Sequence, residues 1–486
     1  MKAGSATSRK RKSDALESTY EAPAPVAIEA TGPPTAGEDD EGLSGGADRL
    51  SSLPDAILGE IISLLATKEG ARTRILASRW HDLWLSAPLN LDCREIAGCW
   101  KSVCSDVLSR ILLSHHGPGR RLYVSIYALN VPEDFMEVCL RSSALDNLEE
   151  LDFIDRFLKQ PQLQRALIFR FSHTLRVANI SSCDLSNITF EGLHFPLLKQ
   201  LGLVMVTMPE CSLHTLIAGC SALECLLIYK IIGVRCLRIN SFTIRSVSML
   251  LNHGDMGYMG LIRLEQVVIE NAPCLLRLHV LGPQDKLHVS VVAAPKLETL
   301  GFIGDRCNAG ERSTLEFGST VIQDLRVDKL ITEVYTVKIL ALDMRNLCLD
   351  TVIELMRCFP CLGKLYIQSH KPGPGNLWRR KHQNLIKCLD LRLKTVVLAD
   401  YQGFKSQVNF VTFFALNVNL LESVTLGIRD KNNNEQFLAE QRMKLQIENW
   451  ASKDVRLHFT TDRCIRHFYY ERDVRGYGLA DPFAHI

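Results

Sequence analysis

The residues of this 486-residue chain best suited to chemistry are its 16 cysteines and 14 histidines. Cys358-Phe359-Pro360-Cys361 is a C-x-x-C pair. Such a pair can cycle between dithiol and disulfide when one thiol is exposed and held as a thiolate, typically at a helix N-terminus. Here it precedes an aliphatic strand pattern at Leu362, Leu365 and Ile367, so its context is a turn. As half of a zinc site it would need two further ligands; His370 and His382 follow, but at spacings that fit no common finger. Gly42-Leu43-Ser44-Gly45-Gly46 satisfies G-x-S-x-G. A nucleophile elbow needs a strand before that motif and a helix after it, and neither is legible around this one. The sequence holds no P-loop, no G-x-G-x-x-G and no H-E-x-x-H. Glu149-Glu150 are adjacent carboxylates that point apart on a strand or helix, hence surface charge. Trp378-Arg379-Arg380-Lys381-His382 follows the loop Pro372-Gly373-Pro374-Gly375 and reads as a solvated basic patch. No catalytic residue, metal site or cofactor is expected.

The elements around these residues are rich in aliphatic side chains. Hydrophobic residues make up 47% of the chain and aromatic ones only 7%. That composition supplies a core and excludes wholesale disorder. Lys+Arg 56 against Asp+Glu 54 leaves a formal charge of +2, so no global footprint for nucleic acid is present. The basic N-terminus, MKAGSATSRKRKSDALESTY, is followed by no apolar stretch and is not expected to act as a secretory signal. The window Leu216 to Val234 is interrupted by Glu224 and Lys230, so a soluble core and no membrane span are expected. A nuclear or cytoplasmic protein, not a secreted one, with reduced cysteines follows.

Five segments are predicted. Residues 1–47 are dominated by Ala, Gly, Pro and Ser and should be a disordered tail. Its basic cluster Arg9-Lys10-Arg11-Lys12 is a candidate nuclear-import signal. Residues 48–92 form a compact helical unit. Asp48 or Ser51/Ser52 could cap its first helix, with Pro54 in the first turn. Leu53, Ile57, Leu58, Ile61, Leu64 and Leu65 recur at three- and four-residue steps as one helical stripe. Gly70 punctuates; Ile75, Leu76, Trp80, Leu83 and Trp84 form a second stripe that Ala87-Pro88 ends. So small a core suggests that part of this apolar surface faces a partner or the rest of the chain.

Over residues 93–380 the pattern L-x-x-L-x-L recurs, with Val, Ile, Ala or Phe allowed. It is found at Leu148/Leu151/Phe153, Leu175/Ala178/Ile180, Leu198/Leu201/Leu203, Leu223/Leu226/Ile228, Val234/Leu237/Ile239 and Leu264/Val267/Ile269. It continues at Leu275/Leu278/Val280, Leu297/Leu300/Phe302, Ile322/Leu325/Val327, Val337/Leu340/Leu342 and Leu362/Leu365/Ile367. Many intervals are about 22–31 residues, the range of leucine-rich repeats. The predicted fold class is α/β: an irregular solenoid whose strands stack as a curved parallel sheet. Segments such as Ser212–Cys220 and Thr351–Arg357 would supply helices on the convex side. The concave face would be a broad surface for binding another protein. The pattern recurs beyond residue 381, at Leu393/Val396/Leu398 and Leu421/Val424/Leu426.

Two stretches carry a resemblance. Asp48-Arg49-Leu50-Ser51-Ser52-Leu53-Pro54-Asp55-Ala56-Ile57-Leu58, then Thr67-Lys68-Glu69 and Arg72-Thr73-Arg74-Ile75-Leu76-Ala77-Ser78-Arg79-Trp80-His81-Asp82-Leu83-Trp84, resemble the two halves of a plant F-box. Lys387-Cys388-Leu389-Asp390-Leu391-Arg392-Leu393-Lys394-Thr395-Val396-Val397-Leu398, the Gly403 turn and Leu420-Leu421-Glu422-Ser423-Val424-Thr425-Leu426 resemble the FBD region that follows the repeats in many such proteins. The resemblance implies a three-helix F-box, a repeat solenoid and, over residues 381–460, an FBD-like α+β cap, with residues 461–486 as a C-terminal tail. It implies a non-catalytic substrate receptor of a Skp–cullin–F-box ubiquitin ligase, its repeats holding a target protein. Leu53, Pro54, Ile57, Leu58, Ile61, Leu65, Ile75, Leu76 and Trp80 would line or support the contact with the Skp adaptor, and through it cullin. Ala66 stands where the family commonly has Pro, and Arg74 where a small residue is usual. The alternative is a repeat scaffold whose weakened F-box does not act in a ligase.

Overall fold

The computed structural model describes residues 50, 52–96, 101–125, 139–154, 170–250, 262–281, 287–305, 312–377, 392–461, 473–478, 481 and 483. The expected disordered tail, Arg9 to Lys12, the Gly42–Gly46 motif and the Trp378–His382 cluster lie outside these residues. The chain divides into two compact units, Met1–Leu53 and Pro54–Ile486, and the described helices and strands belong to the second.

That unit opens with three short helices, α1 (Asp55–Ser63), α2 (Thr67–Arg72) and α3 (Ser78–Ser86), with a 3-10 turn, Thr73–Ile75, between the last two. Pro54, expected in the first turn, occupies the N-cap position of α1 and carries no side-chain cap bond, while Asp48 and Ser51 of the expected caps lie outside the described residues. Pro54 lacks only a donor that a first turn leaves unpaired anyway. Gly70 lies within α2 and does not break it; a Cβ there would stand 3.2 Å from the Trp84 indole nitrogen, and that close packing is what the glycine permits. Ala87 turns extended with ψ 157° and ends α3 ahead of Pro88.

The ladder then begins inside the span assigned to the helical unit, at β1 (Leu89–Asp92). Two further helices, α4 (Cys93–Ile96) and α5 (Lys101–Ser114), lead to β2 (Gly119–Ser125), β3 (Glu150–Ile154), β4 (Val177–Ser181) and β5 (Gln200–Val204). Helix α6 (Glu210–Gly219) precedes β6 (Cys225–Tyr229). Among the described residues that follow come β7 (Cys236–Asn240), β8 (Ser246–Leu250), β9 (Gln266–Asn271), β10 (Arg277–Leu281), β11 (His288–Val291), β12 (Thr299–Gly304), β13 (Thr314–Phe317), β14 (Thr320–Gln323) and β15 (Arg326–Lys329). Then come β16 (Ile339–Asn346), α7 (Leu349–Cys358), β17 (Lys364–Lys371), β18 (Thr395–Ala399), α8 (Lys405–Asn417), β19 (Ser423–Gly427), α9 (Glu435–Leu445) and β20 (Arg456–Thr460).

Fourteen strands form one sheet, in the order β1-β2-β3-β4-β5-β6-β8-β10-β12-β16-β17-β18-β19-β20. Every neighbouring pair is parallel. The register stacks the repeated aliphatic position into a ladder: Leu201 pairs with Leu226, Leu226 with Val247, Leu340 with Leu365 and Leu365 with Val396. Alternation sends these side chains to one face, where they share a core with Leu213 of α6 and Val352 of α7. The fold is the α/β parallel array expected, and α6 and α7 stand where helices were predicted.

The back layer differs from the expectation in its middle. β7, β9, β11 and β13 form a second parallel ladder, extended antiparallel by β14 and β15. Two of the repeat matches, Val234/Leu237/Ile239 and Leu264/Val267/Ile269, belong to this back sheet, and Ile322/Leu325/Val327 straddles the β14–β15 turn, where Leu325 has φ 65°. Two-residue alternation marks any half-buried strand, so the pattern could not say which layer a strand joins. The true main-sheet strand in that interval, β8, carries Val247 and Met249 behind Ile244.

The FBD-like stretch closes the array by continuing it, since β18, β19 and β20 prolong the same ladder. Buried Tyr401 donates its hydroxyl to Gln441 Oε1 of α9 at 2.9 Å. Gly403, with φ +75°, lies so close that a Cβ would meet Gln441 Oε1 at 2.5 Å, so the Gly-containing turn is required twice over.

Candidate protein-interaction site

The helical unit presents an apolar surface that its own fold does not cover. Leu58, Ile62, Trp80, Leu83 and Trp84 are buried and hold α1, α2 and α3 together. Ile57 and Leu65 are exposed, Ile75 is 85% exposed and Leu76 64%. Ile61 is half-buried and Pro54 exposed. Of the nine side chains proposed from sequence, Leu58 and Trp80 therefore support the surface from within. Leu53, half-buried, lies in the first unit. Sequence reasoning missed one member: Leu64 is 79% exposed at the end of α1, and it stood in the same helical stripe. Exposed leucines and isoleucines clustered on so small a unit mark an interaction surface.

Arg74 is half-buried and engages its own unit: its guanidinium donates to His81 Nε2 and lies 5.8 Å from the Trp84 ring centroid. Arg79 Nε donates to Asp55 Oδ1 at 2.7 Å and ties α3 to the start of α1. The unit is also fixed to the ladder. Thr67 Oγ1 donates to the Asn90 carbonyl at 2.7 Å and accepts from the Asp92 amide at 2.9 Å. Arg120 of β2 donates to Ser63 Oγ at 2.9 Å and Glu60 Oε2 at 3.1 Å. His115 Nε2 meets the Ala87 carbonyl at 2.8 Å, and burial lowers the pKa of that imidazole from its ordinary value.

The opposite face of the fourteen-stranded sheet, where protein binding was expected, carries a second and separate apolar cluster. Leu227, Tyr229, Leu250, Phe302, Ala341, Tyr366 and Val397 pack there with Val474, Tyr477 and Phe483, so residues near the C-terminus lie across the strands. His279 of β10, fully buried, accepts or donates at Ser248 Oγ, 2.9 Å away, and its ring stands 5.6 Å from Phe483 and 6.2 Å from Tyr477. Burial, then the nearby Arg277 charge, pushes its pKa down to about 3 from 6.5. The folded chain thus keeps His279 neutral while the unfolded chain takes a proton below about pH 6.5. Stability is expected to fall as pH drops below that value. Between pH 6 and 5 the wild type should lose about 1 kcal/mol more than His279→Gln, read by urea unfolding at each pH. Equal losses would show that His279 is not buried neutral.

The cysteine pair is placed for structure. Cys358 is the buried last residue of α7, at the wrong end of a helix to favour a thiolate, and burial pushes its thiol up to about 11. Among the described residues no three His, Cys, Asp or Glu side chains are grouped to hold a metal ion.

An aliphatic parallel array joined to a small helical unit with a bare apolar surface is the architecture of a repeat protein. Comparison with known proteins gives the same class. Residues 136–367 match the family model described as FBD-associated F-box protein At5g56370, LRR repeats, and residues 381–426 match the FBD model. The chain is 26% identical over 256 residues to the Arabidopsis thaliana F-box/FBD/LRR-repeat protein At5g22700, covering 50% of this chain and 55% of that one. It is 28% identical over 222 residues to F-box protein At1g60400 of the same plant, covering 42% and 53%. With F-box/FBD/LRR-repeat protein At3g26920 it shares 23% identity over 448 residues, 85% of this chain and 96% of the relative. The first two matches thus span about half the length of those relatives. Over its repeat and FBD regions the chain is thus similar to plant F-box/FBD/LRR-repeat proteins. Among its described residues no helix is long and apolar enough to cross a membrane.

Proposed function

We propose that this chain is the substrate-recognition subunit of a Skp–cullin–F-box ubiquitin ligase. The observation that carries this reading is the bare set Ile57, Leu64, Leu65, Ile75 and Leu76 on a helical unit that is bonded to the first strands of the array. An apolar partner surface removes those side chains from water, and about 25 cal/mol per Å² of buried apolar area drives the contact. Leu58 and Trp80 keep the unit's shape, and Arg74 is turned onto His81 and Trp84 of its own unit. The repeats hold a target protein. No bond chemistry falls to this chain: a tethered target meets activated ubiquitin at high effective concentration. The basic cluster Arg9-Lys10-Arg11-Lys12 supports nuclear entry, with nuclear and cytoplasmic residence both served.

The test is capture of a plant Skp adaptor by the full-length chain. Wild type is expected to retain adaptor and cullin, and the pair Leu53→Ala with Ile57→Ala to weaken capture at least tenfold. Failure of the wild type to bind, or indifference to the double substitution, overturns the reading.

A further inference from the structure

The covered face of the sheet is organised as a binding groove. From Asp152 on β3 to Lys364 on β17, nine neighbouring strands present side chains to residues 473–478, 481 and 483. At about 4.8 Å per strand the groove spans roughly 38 Å, bridged at both ends by long side chains. The described residues 473–478, 481 and 483 lie across the strands, with Val474–Gly478 wound as a 3-10 turn.

Its contacts alternate charged and apolar. Arg475 enters an acidic notch: Nη1 lies 3.0 Å from Asp152 Oδ1 and Nη2 2.7 Å from Glu150 Oε2. Burial works against that charge, but Asp152, Asp473 and Glu150 outweigh it and hold the guanidinium above its ordinary pKa. Asn179 reads the main chain and its neighbour at once, donating to Asp473 Oδ1 at 3.0 Å and accepting from the Val474 amide at 3.2 Å. Gly202 makes room for this; a Cβ there would stand 2.2 Å from Asn179 Oδ1. Ser246 Oγ donates to the Tyr477 carbonyl at 3.0 Å. Further along, Lys364 Nζ meets Asp481 Oδ2 at 2.6 Å and Tyr366 donates to the same oxygen at 3.1 Å. Phe483 ends in an aromatic box, 5.1 Å from the rings of Phe302 and Tyr366 and 5.6 Å from His279.

This cluster is distinct from the core behind the sheet, and its polar members are placed to recognise a sequence. A strap that only shields apolar strands has no need of an arginine notch, a main-chain reader and a lysine matched to one aspartate. We propose that this face is the peptide-binding groove of the repeats and that residues 473–483 are its in-chain occupant. The partner it takes is a segment of a target protein with the same chemistry: an arginine, an aromatic two residues on, then an acidic residue and a second aromatic. The proposal rests on the target-binding half of the reading above and is independent of adaptor binding. A tethered occupant acts at an effective concentration of about millimolar, so only a target that displaces it is captured.

The probe is a fluorescein-labelled synthetic peptide with the sequence DVRGYGLADPF, titrated by anisotropy into full-length protein with no adaptor present. Wild type is expected to bind weakly, its groove being filled. The double substitution Tyr477→Ala with Phe483→Ala, which releases the occupant, is expected to bind at least tenfold more tightly. Adding Asp152→Asn to that variant should reverse the gain, and a scrambled peptide should not bind. Arg475→Glu gives a second route to release that leaves the aromatic cluster intact, and decides the matter if the double variant does not fold. A folded released variant that binds the peptide no better than wild type overturns the proposal and makes the segment a fixed structural strap.

Discussion

A chain carrying Ile75→Glu and Leu76→Glu is expected to lose the Skp adaptor and keep its melting temperature. The two side chains are 85% and 64% exposed, so the folded monomer gives up little apolar burial when they become charged. In a docked state both would be taken from water. A carboxylate left unpaired in an apolar contact is expelled, and central apolar anchors are commonly worth 2 kcal/mol or more each. Together they should weaken adaptor binding by at least a hundredfold, measured by titration calorimetry against purified adaptor. A thermal midpoint within about 2 °C of wild type separates this from unfolding. If the variant melts normally and still binds, the adaptor surface lies elsewhere on the chain.

The second expectation concerns the array. Leu365 is fully buried in the ladder between Leu340 and Val396. Leu365→Ala should cost about 2–5 kcal/mol, through lost burial and the cavity left behind. Leu365→Asp should leave no folded protein, since a carboxylate there has no partner and no water. Each repeat buries its aliphatic side chains only against its neighbours, so damage at β17 should propagate through the slab. Urea unfolding of Leu365→Ala followed by circular dichroism and by tryptophan fluorescence should give coincident transitions shifted to lower urea. Separated transitions would mean that the array melts in independent blocks.

Much of the fold was legible because a ladder repeats its instruction. A leucine at Leu201, Leu226, Leu340 or Leu365 has the same neighbours in each unit, so the spacing carries the architecture. The sequence was less informative where two kinds of strand use one pattern, as at Val234/Leu237/Ile239, which joins the back sheet. Propensity names a strand; only tertiary packing assigns its layer. In the helical unit the stripes did not separate Leu58, which is buried, from Ile75, which is bare. That distinction depends on which helices pack on which. The occupied groove was not legible. Arg475 pairs with Asp152, 323 positions away, and Asn179 reaches Asp473 across 294, distances over which no local pattern speaks.

The joint at Thr67 has a consequence of its own. One hydroxyl clasps the carbonyl of Asn90 and the amide of Asp92, and Arg120 reaches back to Ser63 and Glu60. The helical unit thus meets the first strand without a swivel. In the receptor proposed above, such a joint would work as a ruler. The arm from adaptor to captured peptide would have a set length and bearing, so the lysines of a target would be chosen by where they fall within its reach and not by the residues that surround them.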